Sequence, residues 1–191
     1  PTPRLAGVAA PAGQAAAQSG DLLTITGTRL IKRPADSVRV RFSNARLDAP
    51  IWLDADSAGE TEVTVTLPAA APGALPVGGY LVSIEATSTD PVSGQVEVSE
   101  SDSLSVTVGP HLLSLTVTPD PPVAGNAITI RATFVPELQE GQRARLLAAG
   151  GEATPEPFTA PTGALDFTLA SVRSGPMPVR LRIDGIESRL V

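Results

Sequence analysis

The amino-acid sequence predicts an all-β protein built from two antiparallel β-sandwiches. Apolar residues recur at every second position in seven short segments, which is the pattern of strands with one buried face. Proline and glycine separate these segments, and the 191-residue chain contains 19 Pro and 17 Gly. Many short strands with frequent turn signals are typical of sandwiches and barrels rather than of parallel sheets.

The predicted strands follow one another with the same alternation. In Ser37–Phe42 the apolar side chains alternate with two arginines. The other alternating segments are Thr61–Leu67, Tyr80–Ile84, Leu104–Val108, Leu113–Val117, Ile128–Phe134 and Val179–Ile183. Valine, isoleucine and threonine dominate them, and these residues fit pleated, half-buried surfaces. The alanine-rich stretch Ala9–Ala17 is interrupted by a proline and a glycine, so it indicates a linker or turn.

A weak internal repeat predicts the number of domains. Gly20–Thr26 resembles Gly125–Arg131 at an offset of 105 residues, and each copy opens a run of alternating strands. This spacing is the size of one immunoglobulin-like sandwich. We therefore predict a linker over residues 1–18, an immunoglobulin-like sandwich over 19–109 and a second, smaller one over 110–191. Because the chain begins at Pro1 without an initiator Met, we expect it to be a piece of a longer protein.

The strongest local signal is Asp184-Gly185, which lies between two short alternating segments. Such a pair predicts a type I′ hairpin turn, in which both central residues have positive φ. A two-residue turn places Ile183 opposite Ile186 and Arg182 opposite Glu187. Further along, it places Arg180 opposite Arg189, which is an unfavourable pair of like charges.

The three arginines of this hairpin, Arg180, Arg182 and Arg189, are the candidate partner-binding residues of the chain. An unfavourable pair of like charges is a reason to consider a contact with an acidic partner. The alternative is that these arginines splay apart in solvent, because exposed charges usually contribute little to stability.

Charge and composition exclude several classes of function. The net charge is −6, with seven basic and twelve acidic side chains in residues 1–110 and seven and eight in residues 111–191. Nucleic-acid binding needs a clustered basic surface, which this balance does not provide. No apolar run approaches the ~20 residues of a membrane-spanning helix, so no membrane insertion is expected. Without cysteine, the chain has no disulfide, no Cys-based zinc site and no thiol nucleophile.

Residues that could carry catalysis or hold a metal are few. His111, the only histidine, precedes a predicted strand at the domain junction, and one histidine cannot form a His-rich metal site. Asp54–Glu62 has acids and a glycine at some positions of a calcium loop, but Val65 stands where the bidentate glutamate belongs. We therefore expect an ordinary acidic turn. The sequence contains no nucleophile elbow, P-loop or dinucleotide motif, so we expect no enzymatic activity, cofactor or metal.

Trp52 and Tyr80 have two possible roles. Large aromatic side chains in a sandwich usually belong to the core, which is the interpretation favoured here. Alternatively, they could stack on a sugar or on a protein partner. A glycan site should show several exposed aromatics, and only 1 Trp, 1 Tyr and 4 Phe are present in the chain.

Two sets of segments carry a family resemblance. The first set is GDLLTITGTRL at Gly20–Leu30, VRVRF at Val38–Phe42, VTLP at Val65–Pro68 and GGYLVSIEA at Gly78–Ala86. These resemble immunoglobulin-like domains of the transcription-factor/plexin (IPT/TIG) kind, in which the glycine corresponding to Gly27 permits a tight bend. The second set is LTVTPDPP from Leu115, Gly141-Gln142-Arg143 and the terminal VRLRIDGIES. This set resembles the carboxyl-terminal portion of the cap, or tail-terminator, proteins of bacterial phage-tail-like contractile injection systems.

The resemblance covers residues 15–191 and implies a non-catalytic structural module. The implied partners are proteins: other cap subunits, sheath or tube components, or an envelope structure. The implied location is the bacterial cytoplasm or the assembled particle. Family members carry a separate amino-terminal domain that sits on the tube and sheath, so that role is not transferred to any residue here. The alternative function is an accessory immunoglobulin-like module of a carbohydrate-active or cell-surface protein.

Overall fold

A computed structural model describes residues 2–11, 14–31, 35–69, 74–148, 150–172 and 175–190. These residues form strands, turns and irregular segments, and none of them lies in a helix. The chain divides into two compact units, one comprising Pro1–Pro68 and Gly79–Thr107 and the other comprising Ala69–Gly78 and Val108–Val191. The predicted all-β fold class is confirmed.

The first unit contains two antiparallel sheets. Its strands are β1 (Arg4–Ala9), β2 (Leu22–Thr28), β3 (Ser37–Ser43), β4 (Ile51–Asp54), β5 (Ser57–Ala58), β6 (Glu62–Thr66), β7 (Gly78–Thr89), β8 (Val96–Glu100) and β9 (Leu104–Val108). One sheet has the order β1-β2-β6-β5 and the other has the order β4-β3-β7-β8, with β9 also paired to β7.

The second unit likewise contains two antiparallel sheets, and it is nearly as long as the first because it includes Ala69–Gly78. Its strands are β10 (His111–Thr118), β11 (Ile128–Leu138), β12 (Ala144–Ala148), β13 (Gly151–Ala153), β14 (Thr162–Leu169), β15 (Val179–Ile183) and β16 (Ile186–Glu187). They form a sheet of order β10-β11-β14 and a sheet of order β13-β12-β15-β16. In both units, strands that are distant in sequence pair within each sheet, as in immunoglobulin-type sandwiches.

The predicted alternation forms most of the core of each unit, except at Leu113, which is exposed because a bulge between Leu112 and Ser114 shifts the register. In the first unit, Leu23 and Ile25 pair with Val65 and Val63 on the neighbouring strand, and all four are buried. Phe42 and Tyr80 meet edge to face, with ring centroids 6.2 Å apart. The core of the second unit is centred on side chains from β11, β12, β14 and β15: Ile128, Ile130, Ala132, Phe134, Ala144, Leu146, Leu165, Phe167, Leu181 and Ile183.

The assignment of residues 1–18 to a linker is wrong. Arg4–Ala9 forms β1, which pairs antiparallel with β2 at the edge of the first sheet. Ala17 and Gln18 are also buried. The strand was missed because its apolar alternation is broken by a bulge between Leu5 and Gly7. Gly27 could have indicated that another strand packs closely against β2, since a Cβ at this position would collide with the Arg4 carbonyl oxygen.

Residues 69–78 belong to the second unit, although the sequence placed them in the first sandwich. Val77 is buried and packs in the hydrophobic core of the second unit. The Gln142 side-chain amide donates a hydrogen bond to the Val77 carbonyl oxygen. The segment was misplaced because the side chain and the carbonyl group of Val77 find their partners far away in sequence.

Candidate functional site

The candidate site is the outward surface of the sheet β13-β12-β15-β16. On β15, Val179, Leu181 and Ile183 are buried, so the intervening Arg180 and Arg182 lie on the opposite surface. Leu146 on β12 is likewise buried, which places its two flanking residues outward. We call the resulting surface the arginine face. Its residues are Arg145, Leu147, Glu152, Arg180, Arg182 and Glu187.

The predicted hairpin sets the register at one side of this face. Asp184 has φ 49° and Gly185 has φ 86°, which are the two positive values that a type I′ turn requires. Ile183 pairs with Ile186, and Arg182 pairs with Glu187. The turn and both of these cross-strand pairs are confirmed.

Two glutamates hold two of the arginines in place. Glu187 accepts hydrogen bonds from Arg182 Nη2 at 2.7 Å and from Arg180 Nη1 at 2.8 Å. Arg182 also forms an ion pair with Glu152, which lies on the same face of the sheet on β13, two strands away. The hydrogen bond from Arg182, followed by that from Arg180, lowers the pKa of the Glu187 carboxyl. The hydrogen bond with Glu187 in turn raises the pKa of Arg182.

Arg145 is the arginine of this face that sequence reasoning missed. It lies directly opposite Arg182 in the ladder between β12 and β15, where like charges repel. Its Nη1 donates to the Ala144 carbonyl oxygen at 3.1 Å. Among the described residues, no carboxylate forms an ion pair with it. The face therefore holds three arginines against two glutamates, and its guanidinium groups could bind a carboxylate of a partner.

Arg189 does not join the ladder in the predicted way. The paired strand ends at Glu187, and the predicted pairing of Arg180 with Arg189 is replaced by the ion pair between Arg180 and Glu187. The physical reason lies at Ser188, whose backbone N–H donates to Leu181 O at 2.7 Å. The Leu181 N–H is bound at 3.0 Å by the Ser188 hydroxyl rather than by a carbonyl, so the regular ladder stops there. Arg189 is exposed.

Hydrogen bonds from Arg143 and Gln142 fix the hairpin that carries the face. Asp184 Oδ1 accepts a hydrogen bond from the Arg143 N–H at 2.9 Å, and the Asp184 N–H donates to Arg143 O at 2.9 Å. Gln142 Nε2 donates to Asp184 Oδ2 at 3.3 Å, while Gln142 Oε1 accepts from the Gln139 N–H at 2.9 Å. The Gly141-Gln142-Arg143 motif and the terminal hairpin are separate in sequence, but these hydrogen bonds join them in the folded chain.

The other candidate residues lie elsewhere. His111 begins β10 and is half-buried opposite Val135. Asp54–Glu62 spans the end of β4, the edge strand β5 and the turn that leads into β6. In this segment the Asp56 carboxylate accepts a hydrogen bond from Thr66 Oγ1 at 2.7 Å. Across the described part of the chain, no three histidine, aspartate or glutamate side chains are grouped so that they could hold a metal ion.

The core interpretation holds for Tyr80 and is wrong for Trp52. Tyr80 is 2% exposed, and its burial raises the pKa of its phenol. Trp52 pairs with Arg41 on the outward surface of the sheet, because its neighbours in sequence face the opposite way. The guanidinium carbons of Arg39 and Arg41 lie 4.8 Å and 5.8 Å from the ring centroid, which is cation–π geometry.

Comparisons with known proteins give one family match. The model of a family described as a domain of unknown function, DUF8756, matches residues 83–191. Among curated proteins, none matches the chain significantly. A solved structure of fibronectin(III)-like modules of Clostridium thermocellum CbhA shares 21% sequence identity, with 97% of this chain and 90% of that chain covered and a TM-score of 0.25. The described residues contain no helix long and apolar enough to cross a membrane.

Proposed function

We propose that this chain, which belongs to the DUF8756 family, is a non-catalytic immunoglobulin-like appendage of the cap protein of a contractile injection system. The proposal starts from the resemblance of its second half to the carboxyl-terminal portion of such cap proteins. The residues that carry this resemblance, Gly141-Gln142-Arg143 and the terminal hairpin, all lie within the range that the family model matches.

One observation carries the proposal: the Gly141-Gln142-Arg143 motif and the terminal hairpin, which both carry the resemblance, are hydrogen-bonded to each other. Arg143 exchanges backbone-linked hydrogen bonds with Asp184, and Gln142 reaches the same carboxylate. Residues joined in this way are expected to occur together in a sequence pattern, because each stabilises the conformation of the other. Their joint presence is therefore a stronger reason for the resemblance than either segment alone.

The arginine face supports a role in protein contact. Its two ion-paired arginines, Arg180 and Arg182, are held by Glu187, which reduces the conformational entropy that they would lose on binding. Arg145 adds a guanidinium that makes no ion pair with a carboxylate in the described ranges. We propose that this face, together with Arg189, contacts an acidic surface of a cap, sheath or tube subunit or of the cell envelope. The chain then works in the bacterial cytoplasm or in the assembled particle.

Deleting residues 1–191 from the full-length protein tests this division of labour. Particles should still assemble at normal length, because the appendage supplies an accessory contact rather than the seat on the tube. Electron microscopy and sedimentation of particles from cells that make the truncated protein give the readout. Failure to form any particle of normal length would show that the appendage is central to termination. Absence of the intact protein from purified particles would overturn the cap assignment itself.

The second candidate is an accessory module of a carbohydrate-active or cell-surface protein. The outward position of the half-buried Trp52 is the observation that favours it, since an outward-facing tryptophan can stack on sugars. A sugar on that ring would compete with the guanidinium groups of Arg39 and Arg41. Binding of polysaccharide in affinity electrophoresis, abolished by Trp52→Ala, would support this function over the first. A hydrolase domain encoded in the same gene would also support the accessory-module function.

A further inference from the structure

The β7–β8 hairpin carries a concentrated set of exposed apolar side chains. Val92, Val96 and Val98 are 95%, 64% and 58% exposed, and they lie within seven consecutive residues. β8 is exposed along nearly its whole length, whereas the first part of β7 contributes Tyr80, Val82 and Ile84 to the core. Exposed apolar side chains that cluster on a protein surface can mark a contact surface.

The hairpin also has a free edge. β8 pairs with β7 on one side, and among the described residues no strand pairs with its other side. On the opposite side of β7, the ladder with β3 extends only to Thr87. The hairpin beyond that point is thus a two-stranded ribbon, which has little stability of its own in water.

The register shows which backbone groups face this edge. The Asp90 N–H bonds to Gln95 O, and the Ser101 N–H bonds to Ile84 O, so odd-numbered residues of β8 bond to β7. Hydrogen bonding alternates along antiparallel strands. The N–H and C=O groups of Val96, Val98 and Glu100 therefore point away from β7. These are the groups that an added strand would bind.

Charge indicates the kind of strand that fits. Residues 86–103 contain four acidic side chains and no lysine or arginine. The acids are Asp90, Glu97, Glu100 and Asp102. A second copy of β8 would bring like charges to this edge, which disfavours self-pairing. Glu100 pairs with Arg41, and Asp102 and Asp90 accept backbone hydrogen bonds from Leu5 and from Val92 and Ser93. The stretch has no cation of its own, so its negative charge still favours an extended segment in which basic residues alternate with apolar residues that cover the exposed valines.

We propose that the free edge of β8 receives an extended basic strand of a protein partner by β-augmentation. The added strand would bind the outward backbone groups of Val96, Val98 and Glu100, and its apolar side chains would cover the two valines. This contact is independent of the arginine face and of the identity of the particle.

Titration of the whole chain with a blocked, alternating lysine–valine heptapeptide tests the proposal by amide NMR. The largest shifts should occur at Val96, Val98 and Glu100. A glutamate–valine peptide of the same length should bind at least tenfold more weakly. Equal binding of the acidic peptide, shifts centred on another strand, or no binding of the basic peptide would overturn the proposal.

Two variants sharpen the test. Val98→Pro removes one outward N–H and leaves the ladder to β7 intact, because proline is tolerated at such edge positions. It should weaken peptide binding at least tenfold while the β7 amide signals keep their positions. Val96→Lys should weaken binding because the new lysine repels the basic peptide, while the backbone groups of β8 stay the same. Val123→Lys, at a valine that is 53% exposed outside the hairpin, is the matched control and should bind the peptide like the parent chain.

Self-association of the parent chain through β8, measured by sedimentation, would overturn the proposal of a basic partner and assign the edge to a second copy of this chain.

Discussion

Gln142 and Val77 are joined by a buried hydrogen bond, in which Gln142 Nε2 donates to the Val77 carbonyl oxygen at 2.9 Å. The same side chain also contacts Asp184 and the Gln139 N–H. One amide thus connects three segments of the second unit that are far apart in sequence. Because Gln142 is only 6% exposed, water cannot replace these partners without local opening.

Replacing this amide should destabilise the second unit. Gln142→Leu leaves the Val77 carbonyl and the Gln139 N–H without their partner, and the expected loss is about 1–3 kcal/mol of unfolding free energy. Urea unfolding followed by circular dichroism measures it. Gln139→Leu, whose side-chain bond to Glu137 O is exposed, is the control and should cost clearly less. Equal effects of the two substitutions would contradict the structural role of Gln142.

Val77→Ala should destabilise the second unit even though residue 77 lies between two strands of the first. Val77 is 1% exposed within the core of the second unit, so its truncation leaves a cavity and costs about 2 kcal/mol. Hydrogen exchange should quicken in β11 and β15 more than in β2 and β6. Val123→Ala, at an exposed valine, is the control. If exchange became faster only in β2 and β6, the result would contradict the packing of Val77 in the second unit.

Gly185→Ala should weaken the terminal hairpin. Gly185 has φ 86°, which an alanine adopts only with strain, so the expected cost is about 1 kcal/mol. Gly151→Ala is the control, because a Cβ there meets the Ala148 carbonyl oxygen at an ordinary 3.8 Å. Thermal unfolding of both variants gives the comparison. An unchanged melting temperature for Gly185→Ala would contradict a strained position at residue 185.

Glu187 should give the hairpin a dependence on pH. Its folded-state pKa lies below the ordinary value of 4.5 because Arg182 and Arg180 donate hydrogen bonds to its carboxylate. A lowered folded-state pKa contributes stability above pH 4.5, and that stability is lost as pH falls through the folded-state pKa. The melting temperatures of the parent and Glu187→Gln should therefore differ most near neutral pH and converge in acid. A difference that grows in acid would contradict this sign.

Arg145→Glu should stabilise the sheet while removing a charge from the proposed contact. It replaces a like-charge pair with an opposite-charge pair opposite Arg182, for an expected gain of about 0.2–1 kcal/mol. The same substitution at Arg131, which already pairs with Asp166, should destabilise the unit instead. Chemical denaturation measures both. If the arginine face binds an acidic partner, Arg145→Glu should also reduce retention of the protein on purified particles.

The sequence by itself determined those features whose cause is local. Alternation along a strand decides which side chains face the core, so Val40, Val63 and Leu181 could be assigned correctly from their neighbours. The Asp184-Gly185 turn is equally local, because its two positive φ values are a property of those two residues. The turn then fixed the pairing of Arg182 with Glu187 by counting along the chain.

The tertiary structure alone decided which distant segments meet. Arg145 lies opposite Arg182, Val77 lies in the second core, and Trp52 packs against Arg39. None of these follows from periodicity, because a period of two gives the two faces of a strand but neither its neighbour nor its register. Sheet order here joins strands separated by many residues. The proximity of Arg145 and Glu152 to Arg182 was therefore fixed by long-range pairing, whose free energy depends on the whole packed sandwich.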